Sequence, residues 1–215
     1  LSALDPDNDD WVIEVAYGEH NLGVLAFSAG RYEEAETAFR EDARTRRGVL
    51  ERRPDDRTLR SDLADTLSWL GSALQFQGRL REASAYFEEA SRRFSALADE
   101  LTDDRPLVAR GATELSQFAL VNHQLGDYDV AADLYREGVR VMQALVEFDP
   151  ENVEWREALA RNQLSLAESL AAGGDPAAAQ RHFAAGKALA VALWRNDPTN
   201  AATAEESSSA SEEMR

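Results

Sequence analysis

The sequence has no cysteine, and Lys187 is the only lysine among its 23 basic residues. The lack of cysteine excludes disulfides and thiolate chemistry, whether for binding a metal or for attacking a substrate. No stretch approaches the roughly 18 consecutive apolar residues that a membrane-spanning helix requires. No secretory signal pattern is present either, so we expect a cytoplasmic protein. The almost exclusive use of arginine indicates the composition bias of a GC-rich bacterial genome.

Basic residues are also outnumbered, since the chain has 40 acidic residues and a formal net charge of −17. A nucleic-acid backbone attracts clustered lysine and arginine, so this balance argues against a nucleic-acid partner. Two interpretations of the acidity stay open: a solvated outer surface, or an attraction for a basic peptide.

A glycine recurs every 48 residues, at Gly30, Gly78, Gly126 and Gly174. Nine residues after each glycine stands an aromatic residue that we expect to pack in the core: Phe39, Phe87, Tyr135 and Phe183. Internal repeats of this length are typical of solenoids. The register predicts one domain over residues 6–197, made of repeats 6–53, 54–101, 102–149 and 150–197.

The second repeat illustrates why each unit is a pair of helices. Its leucines follow steps of three and four residues, which is the periodicity of one helix face and not of a strand. Asp55 and Asp56 are good helix N-caps, and Gly78 ends the first helix. We therefore predict helices near 57–76 and 79–100, with equivalents 48 residues away. Small residues at Ala64 and Gly71 let the two helices approach closely.

The segments "NLGVLAFSAGRYEEAETAF" and "WLGSALQFQGRLREASAYF" carry a Leu-Gly pair, a turn glycine, an alanine and an aromatic ring in order. This pattern resembles the tetratricopeptide repeat family. The resemblance implies an all-α, right-handed α-solenoid of four antiparallel helix hairpins. The period departs from the family's usual length of about 34 residues. The extra 14 residues equal two heptads, one for each helix, which preserves the helical phase.

The resemblance also implies that the first helix of each repeat lines a concave groove that binds a peptide or protein segment. Mapped onto this chain, the predicted partner-binding residues are Tyr17, His20, Asn21, Phe27, Ser68, Trp69, Ser72, Phe76, Gln117, His123, Arg161 and Glu168. Each aromatic ring in this set either contacts the partner or belongs partly to the core. Only Asn21 matches the carboxylate clamp of co-chaperone members, so we do not expect capture of an acidic C-terminal tail.

No motif of catalysis, cofactor binding or metal binding is present. His20, His123 and His182 lie in different repeats, and none has a second ligand at the i+4 spacing of a zinc-binding helix. His182 is expected to face solvent. The sequence thus predicts a non-catalytic interaction scaffold that has no cofactor.

Three alternatives stay open beside the scaffold. One is a regulatory or sensor segment of a larger bacterial signalling protein or enzyme, which contacts its own catalytic domain. The others are a small-molecule sensor or hydrolase and self-association through either end of the array.

The two ends depart from the repeat pattern. Residues 1–5 align with the closing turn of a repeat, so we expect the end of a truncated preceding helix. Residues 198–215 lack large apolar side chains, apart from one methionine near the end. They are either a capping helix or an acidic tail.

Overall fold

The first helix of every repeat begins at a polar side chain, and these four N-caps also keep the 48-residue step. They are Asn8, Asp56, Asp104 and Asn152. Each side-chain oxygen accepts a hydrogen bond from the backbone N–H three residues later, at 3.0 to 3.3 Å. A short polar side chain there satisfies one of the amides that a helix start leaves without a partner.

Each first helix ends at the recurring glycine. Gly30, Gly78, Gly126 and Gly174 have φ angles of 73°, 76°, 86° and 91°, in the left-handed region that favours glycine. The chain then closes the turn with a bond such as that from the Asp127 N–H to the Asn122 carbonyl, at 2.9 Å. These bonds take up the last carbonyls of the first helix and start the second one.

A computed structural model describes residues 8–100 and 103–196. Within these residues it has eight α-helices and no strand. They are α1 (Asp9–Ser28), α2 (Tyr32–Leu50), α3 (Arg57–Phe76), α4 (Leu80–Glu100), α5 (Arg105–Leu125), α6 (Tyr128–Phe148), α7 (Val153–Ala172) and α8 (Pro176–Asn196). The predicted all-α fold of tandem helix hairpins is confirmed. The expectations for residues 1–5 and 198–215 fall outside the described residues.

The chain divides into two compact units, Leu1–Leu134 and Tyr135–Arg215, with the division inside α6. In the first unit, α1 packs on α2, α2 on α3, α3 on α4 and α4 on α5, and α1 also contacts α3. In the second unit, α7 packs on α8. The single domain over residues 6–197 stays a prediction.

The two helices of a hairpin approach closely where a small residue faces an aromatic ring. A Cβ placed on Gly71 would lie 3.1 Å from the Phe87 ring, and one placed on Gly23 would lie 2.5 Å from the Phe39 ring. Both rings are fully buried. The expectation that small side chains at this position admit the ring is thus confirmed in the first two repeats. Any side chain on Gly23 would displace Phe39.

The outer helices of the described chain differ from the inner ones in what they bury. Leu22 and Leu25 on α1 are exposed, whereas their equivalents on α3, Leu70 and Ala73, are buried beneath neighbouring helices. Phe183 on α8 is 55% exposed, so its assignment to the core is wrong. The core rings Phe39 and Phe87 sit in α2 and α4, which are each followed by a packed first helix, and α8 is the last helix described.

Candidate functional site

A continuous row of aromatic rings joins α1, α2 and α3. Trp69 stacks on Phe39 with ring centroids 5.8 Å apart, and it meets Phe27 edge-on at 5.3 Å. Phe76 stacks on Tyr32 at 5.0 Å and also meets Phe27 edge-on at 5.3 Å. We call Phe27, Tyr32, Phe39, Trp69 and Phe76 the ring cluster. Such pairs hold neighbouring helices together and present one apolar surface.

The ring cluster runs from the core to solvent. Phe39 is fully buried, and Trp69 and Phe27 are half-buried. Phe76 is 60% exposed although one face of its ring lies against Tyr32. Two of the predicted binding rings, Trp69 and Phe27, are therefore largely interior packing, while Phe76 offers a ring surface to a partner.

Next to the ring cluster lies a buried ion pair that links α2 to its neighbours. The Arg46 Nε donates to Asp42 Oδ1 at 2.6 Å, and Arg46 NH1 donates to Asp62 Oδ2 on α3 at 2.7 Å. Thr66 donates its hydroxyl proton to Asp42 Oδ2 at 2.6 Å. Both Asp42 and Arg46 are almost fully buried. The partners satisfy both charges, as burial requires.

Two predicted binding residues on α1 belong to this polar network. The His20 Nδ1 lies 3.0 Å from Asp42 Oδ2, and the His20 ring packs edge-on against Phe39. The Tyr17 hydroxyl donates to Asp62 Oδ2 at 2.8 Å beneath the Arg46 guanidinium. That hydrogen bond, together with burial and the Asp62 charge, raises the pKa of Tyr17. Both side chains thus hold α1 to α2 and α3, and Tyr17 stays partly exposed.

A second polar group joins α3 to α5. The Ser68 hydroxyl donates to Glu114 Oε2 at 2.6 Å, and Arg110 pairs with Asp65. Burial raises the pKa of Glu114 to about 7; the nearby Asp65 charge adds to the rise, while Ser68 and Arg110 oppose it. The predicted residue Ser68 therefore positions a carboxyl that is close to neutral near physiological pH.

The remaining predicted residues of the first unit are polar and lie on the same three helices. Asn21 is exposed, Gln117 is half-buried, and the Ser72 hydroxyl donates to the Ser68 carbonyl at 3.1 Å. His123 packs edge-on against Tyr128 at 5.2 Å. Gln75 bonds to Gln124 at 2.9 Å and so bridges α3 and α5. The face formed by α1, α3 and α5 thus combines exposed aromatic surface with amides and hydroxyls, a mixture typical of binding surfaces.

In the second unit, Arg161 and Glu168 are exposed on α7. Glu168 stands at the edge of an apolar cavity of about 440 Å³ between α7 and α8. The cavity is lined mainly by apolar side chains of Leu164, Ala167, Ala171, Pro176, Ala179 and Phe183. His182, which was expected to face solvent, is half-buried because its Nδ1 bonds to Gln163 Oε1 at 2.7 Å.

The sequence reasoning missed Asp42, Arg46 and Glu114. The repeat register contained a signal for Arg46, because the equivalent residues Phe94 and Met142 are apolar core residues. A charge at a core position of a repeat indicates a buried partner. Glu114 has a similar signal, since its equivalent on α3 is the buried Thr66.

No cluster of three or more potential metal-ligating side chains occurs in residues 8–100 and 103–196. Among the helices of those same ranges, none combines the length and the apolar character needed to cross a bilayer.

Comparison with known sequences and folds agrees with the repeat register. Profiles of the tetratricopeptide repeat match residues 20–56, 63–95 and 160–185. A search of curated proteins found no match.

Three solved structures share the arrangement of helices. The de novo designed helical repeat protein DHR64 is 15% identical, with a TM-score of 0.54 over 86% of this chain and 97% of its own. The DHF58 filament is 17% identical, also with a TM-score of 0.54, over 86% and 95%. BtubC (BKLC) from P. vanneervenii is 18% identical, with a TM-score of 0.47 over 92% and 87%. At such identities the first two likenesses show the helical-repeat fold alone.

Proposed function

Because the chain is a tetratricopeptide-like repeat protein, we propose that it is a non-catalytic scaffold that binds a peptide or protein segment. Repeats of this kind generally mediate protein–protein interaction, and helical-repeat folds are typically non-catalytic. We place the binding surface on the face formed by α1, α3 and α5. The observation that carries the proposal is the ring of Phe76, which is supported from behind by Tyr32 and Phe27 and is 60% exposed in front.

An exposed aromatic ring held rigid by its neighbours is a good anchor for a partner. Tyr32 and Phe27 fix the Phe76 ring, so little side-chain entropy remains to be lost on binding. Aromatic anchors with polar groups around them contribute most of the binding free energy at many interfaces. Asn21, Ser72 and Gln117 supply amides and a hydroxyl on the same three helices for the backbone of an extended segment.

The roles of the predicted residues follow from their contacts. Phe76 and Asn21 contact the partner in this proposal, while Trp69, His20 and Ser68 shape the surface through the ring cluster, Asp42 and Glu114. A partner with basic residues fits the net charge of −17. The expected cytoplasmic location is kept as part of the proposal.

The test is a peptide-library screen against the full chain, repeated with Phe76→Ala. Peptides selected by the wild-type protein should bind the variant about tenfold or more weakly, the size of effect expected for an aromatic anchor. The matched control is Val130→Ala on α6, an apolar side chain of the first unit that is also exposed but lies on a second helix. Circular dichroism checks that both variants are folded.

The scaffold proposal fails if no peptide binds above background. The α1–α3–α5 surface fails if binding is unaffected by Phe76→Ala, Asn21→Ala and Ser72→Ala alike. In that case a contact with a covalently linked catalytic domain becomes the stronger candidate.

A further inference from the structure

The apolar cavity between α7 and α8 has a counterpart elsewhere in the same chain, and there it is occupied. Shifting the cavity-lining residues back by three repeats, or 144 residues, places them on α1 and α2. Phe183 then corresponds to Phe39, Ala179 to Ala35, Pro176 to Tyr32 and Ala171 to Phe27. The two surfaces are thus the same part of two hairpins.

At the first hairpin, α3 covers this surface with two aromatic side chains. Trp69 stacks on Phe39, and Phe76, seven residues later, stacks on Tyr32. The next residue, Gln77, donates its side-chain N–H to Glu36 Oε2 at 2.8 Å. The occupant is therefore a helix with two rings on one stripe and a hydrogen-bond donor directly after the second ring.

The side chains that cover each hairpin follow the chemistry of its lining. At the second hairpin the position equivalent to Phe27 is Gln75, and the covering helix α5 contributes Gln124, which bonds to it at 2.9 Å. At the fourth hairpin the lining is Ala171, Pro176 and Phe183, and it is apolar like that of the first hairpin. An occupant with aromatic side chains thus suits the α7–α8 cavity better than one with amides.

The covering helix is present at the first hairpin and not at the last one described. Phe39 is fully buried beneath Trp69, whereas Phe183 is 55% exposed. Ala171 and Pro176 are also smaller than Phe27 and Tyr32, which leaves a cavity of about 440 Å³. Large rings are the side chains that fill such a volume.

This chain does not itself supply a second helix of that type. The sequence after α8, "DPTNAATAEESSSASEEMR", contains no aromatic residue. On α1 of another copy, the positions equivalent to Trp69 and Phe76 are Asn21 and Ser28. Neither the following residues nor a second copy stacked in register provides the two rings.

We propose that the α7–α8 cavity is a docking site for an amphipathic helix of another protein that carries two large aromatic residues seven positions apart. A glutamine or a basic residue directly after the second ring faces Gln180, the counterpart of Glu36. Glu168, at the edge of the cavity, favours the basic choice by charge. This mode is a helix laid in an apolar groove.

The docking site extends the scaffold function and is separate from the α1–α3–α5 face. Its lining comes from α7 and α8 alone. The variant Phe76→Ala should therefore leave binding at the cavity unchanged, and failure of either proposal leaves the other standing.

The experiment uses the chain's own template as its probe. A labelled peptide with the sequence of residues 57–77, held helical by a lactam bridge, is titrated into the full chain and followed by fluorescence anisotropy. The expected result is saturable one-to-one binding. A second peptide with alanine in place of both Trp69 and Phe76 should bind at least about tenfold more weakly, because it lacks both anchors.

Protein variants locate the site. Phe183→Glu places a charge in the cavity and should weaken binding of the first peptide by at least about tenfold. The matched control, Val153→Glu, also changes an exposed apolar side chain of the second unit, on α7 but outside the cavity, and should leave binding unchanged. Phe183→Ala serves as the test variant if the glutamate disturbs folding.

Several results would overturn the proposal. One is the absence of binding by the first peptide. Another is equal binding of the two peptides, which would mean that the rings are not recognised. A third is equal binding to Phe183→Glu and Val153→Glu, which would place the contact elsewhere.

Discussion

A few side chains in this protein behave differently from their equivalents in other repeats, and Glu114 is the clearest case. It sits on α5 at the position of Thr66 on α3, in a place that the fold buries. Thr66 satisfies its hydroxyl with Asp42, while Glu114 brings a carboxyl into the same kind of environment and bonds to Ser68. Burial favours the neutral form of such a group.

Stability should therefore depend on pH through Glu114. Its pKa is about 7 in the folded chain and about 4.5 when it is unperturbed. Because folding raises the pKa, the contribution of Glu114 is fully present below pH 4.5 and is lost as the pH rises through 7. The variant Glu114→Gln keeps the shape and does not titrate.

Urea unfolding measured between pH 5 and pH 8 checks this prediction. Over that range, the wild type should lose stability relative to Glu114→Gln, by an amount on the order of 3 kcal/mol. Parallel stability curves for the two proteins would show that the Glu114 carboxyl is solvated in the folded state.

At the scale of helices, the same packing position is filled by opposite chemistry in neighbouring repeats. The contact between α4 and α5 uses Ala90 and Phe94, both fully buried. The contact between α2 and α3 has Asp42 and Arg46 at the equivalent positions. A buried ion pair that loses one partner leaves the other charge uncompensated, whereas replacing both by apolar residues is often tolerated.

The first hairpin should accept the apolar solution of the second. Arg46→Phe alone strands the buried Asp42 carboxylate and should lower the free energy of unfolding by about 3–5 kcal/mol. Adding Asp42→Ala reproduces the Ala90 and Phe94 pair and should recover at least half of the loss. Urea titrations of the single and double variants measure both values.

A surface arginine provides the control for that series. Arg44 pairs only with the exposed Glu41 on its own helix, so Arg44→Phe should change stability by less than about 1 kcal/mol. If Asp42→Ala deepens the loss caused by Arg46→Phe, then Asp42 stabilises α2 through His20 and Thr66 without help from Arg46.

At the scale of the whole molecule, the dominant property is the net charge of −17. A phosphate backbone carries the same sign, and association with it depends on basic groups that release counterions. Many arginines of this chain are already paired with carboxylates, as in the bidentate contact of Arg60 with Glu100. Such pairs reduce the positive charge available to an anionic partner.

We therefore expect no binding of DNA or RNA at physiological salt. In a gel-shift titration, a labelled duplex and a labelled single strand should both run unchanged at micromolar protein. Lowering the salt should not produce a shifted band, since screening is not what prevents the contact. A band that appears at low salt and disappears at high salt would mean that the arginines form an accessible basic surface.

Much of the fold was predictable from local spacing. The helix bounds predicted at 57–76 and 79–100 match α3 and α4 within a residue, because caps, turn glycines and the apolar period act over a few residues. The binding surface was less predictable. The rings Trp69 and Phe76 have the same helical spacing signal, yet one is half-buried and the other is mostly exposed.

The sequence by itself determined the repeat, the eight helices, the turns at the glycines and the register that relates one hairpin to the next. All of these follow from interactions between residues that are close in the chain. Only the tertiary structure decided that Phe183 is exposed while Phe39 is buried, that His20 bonds to Asp42, and that Arg46 is a core residue. The burial of a side chain depends on which helix lies against it, and equivalent positions in a repeat protein do not all have the same neighbour.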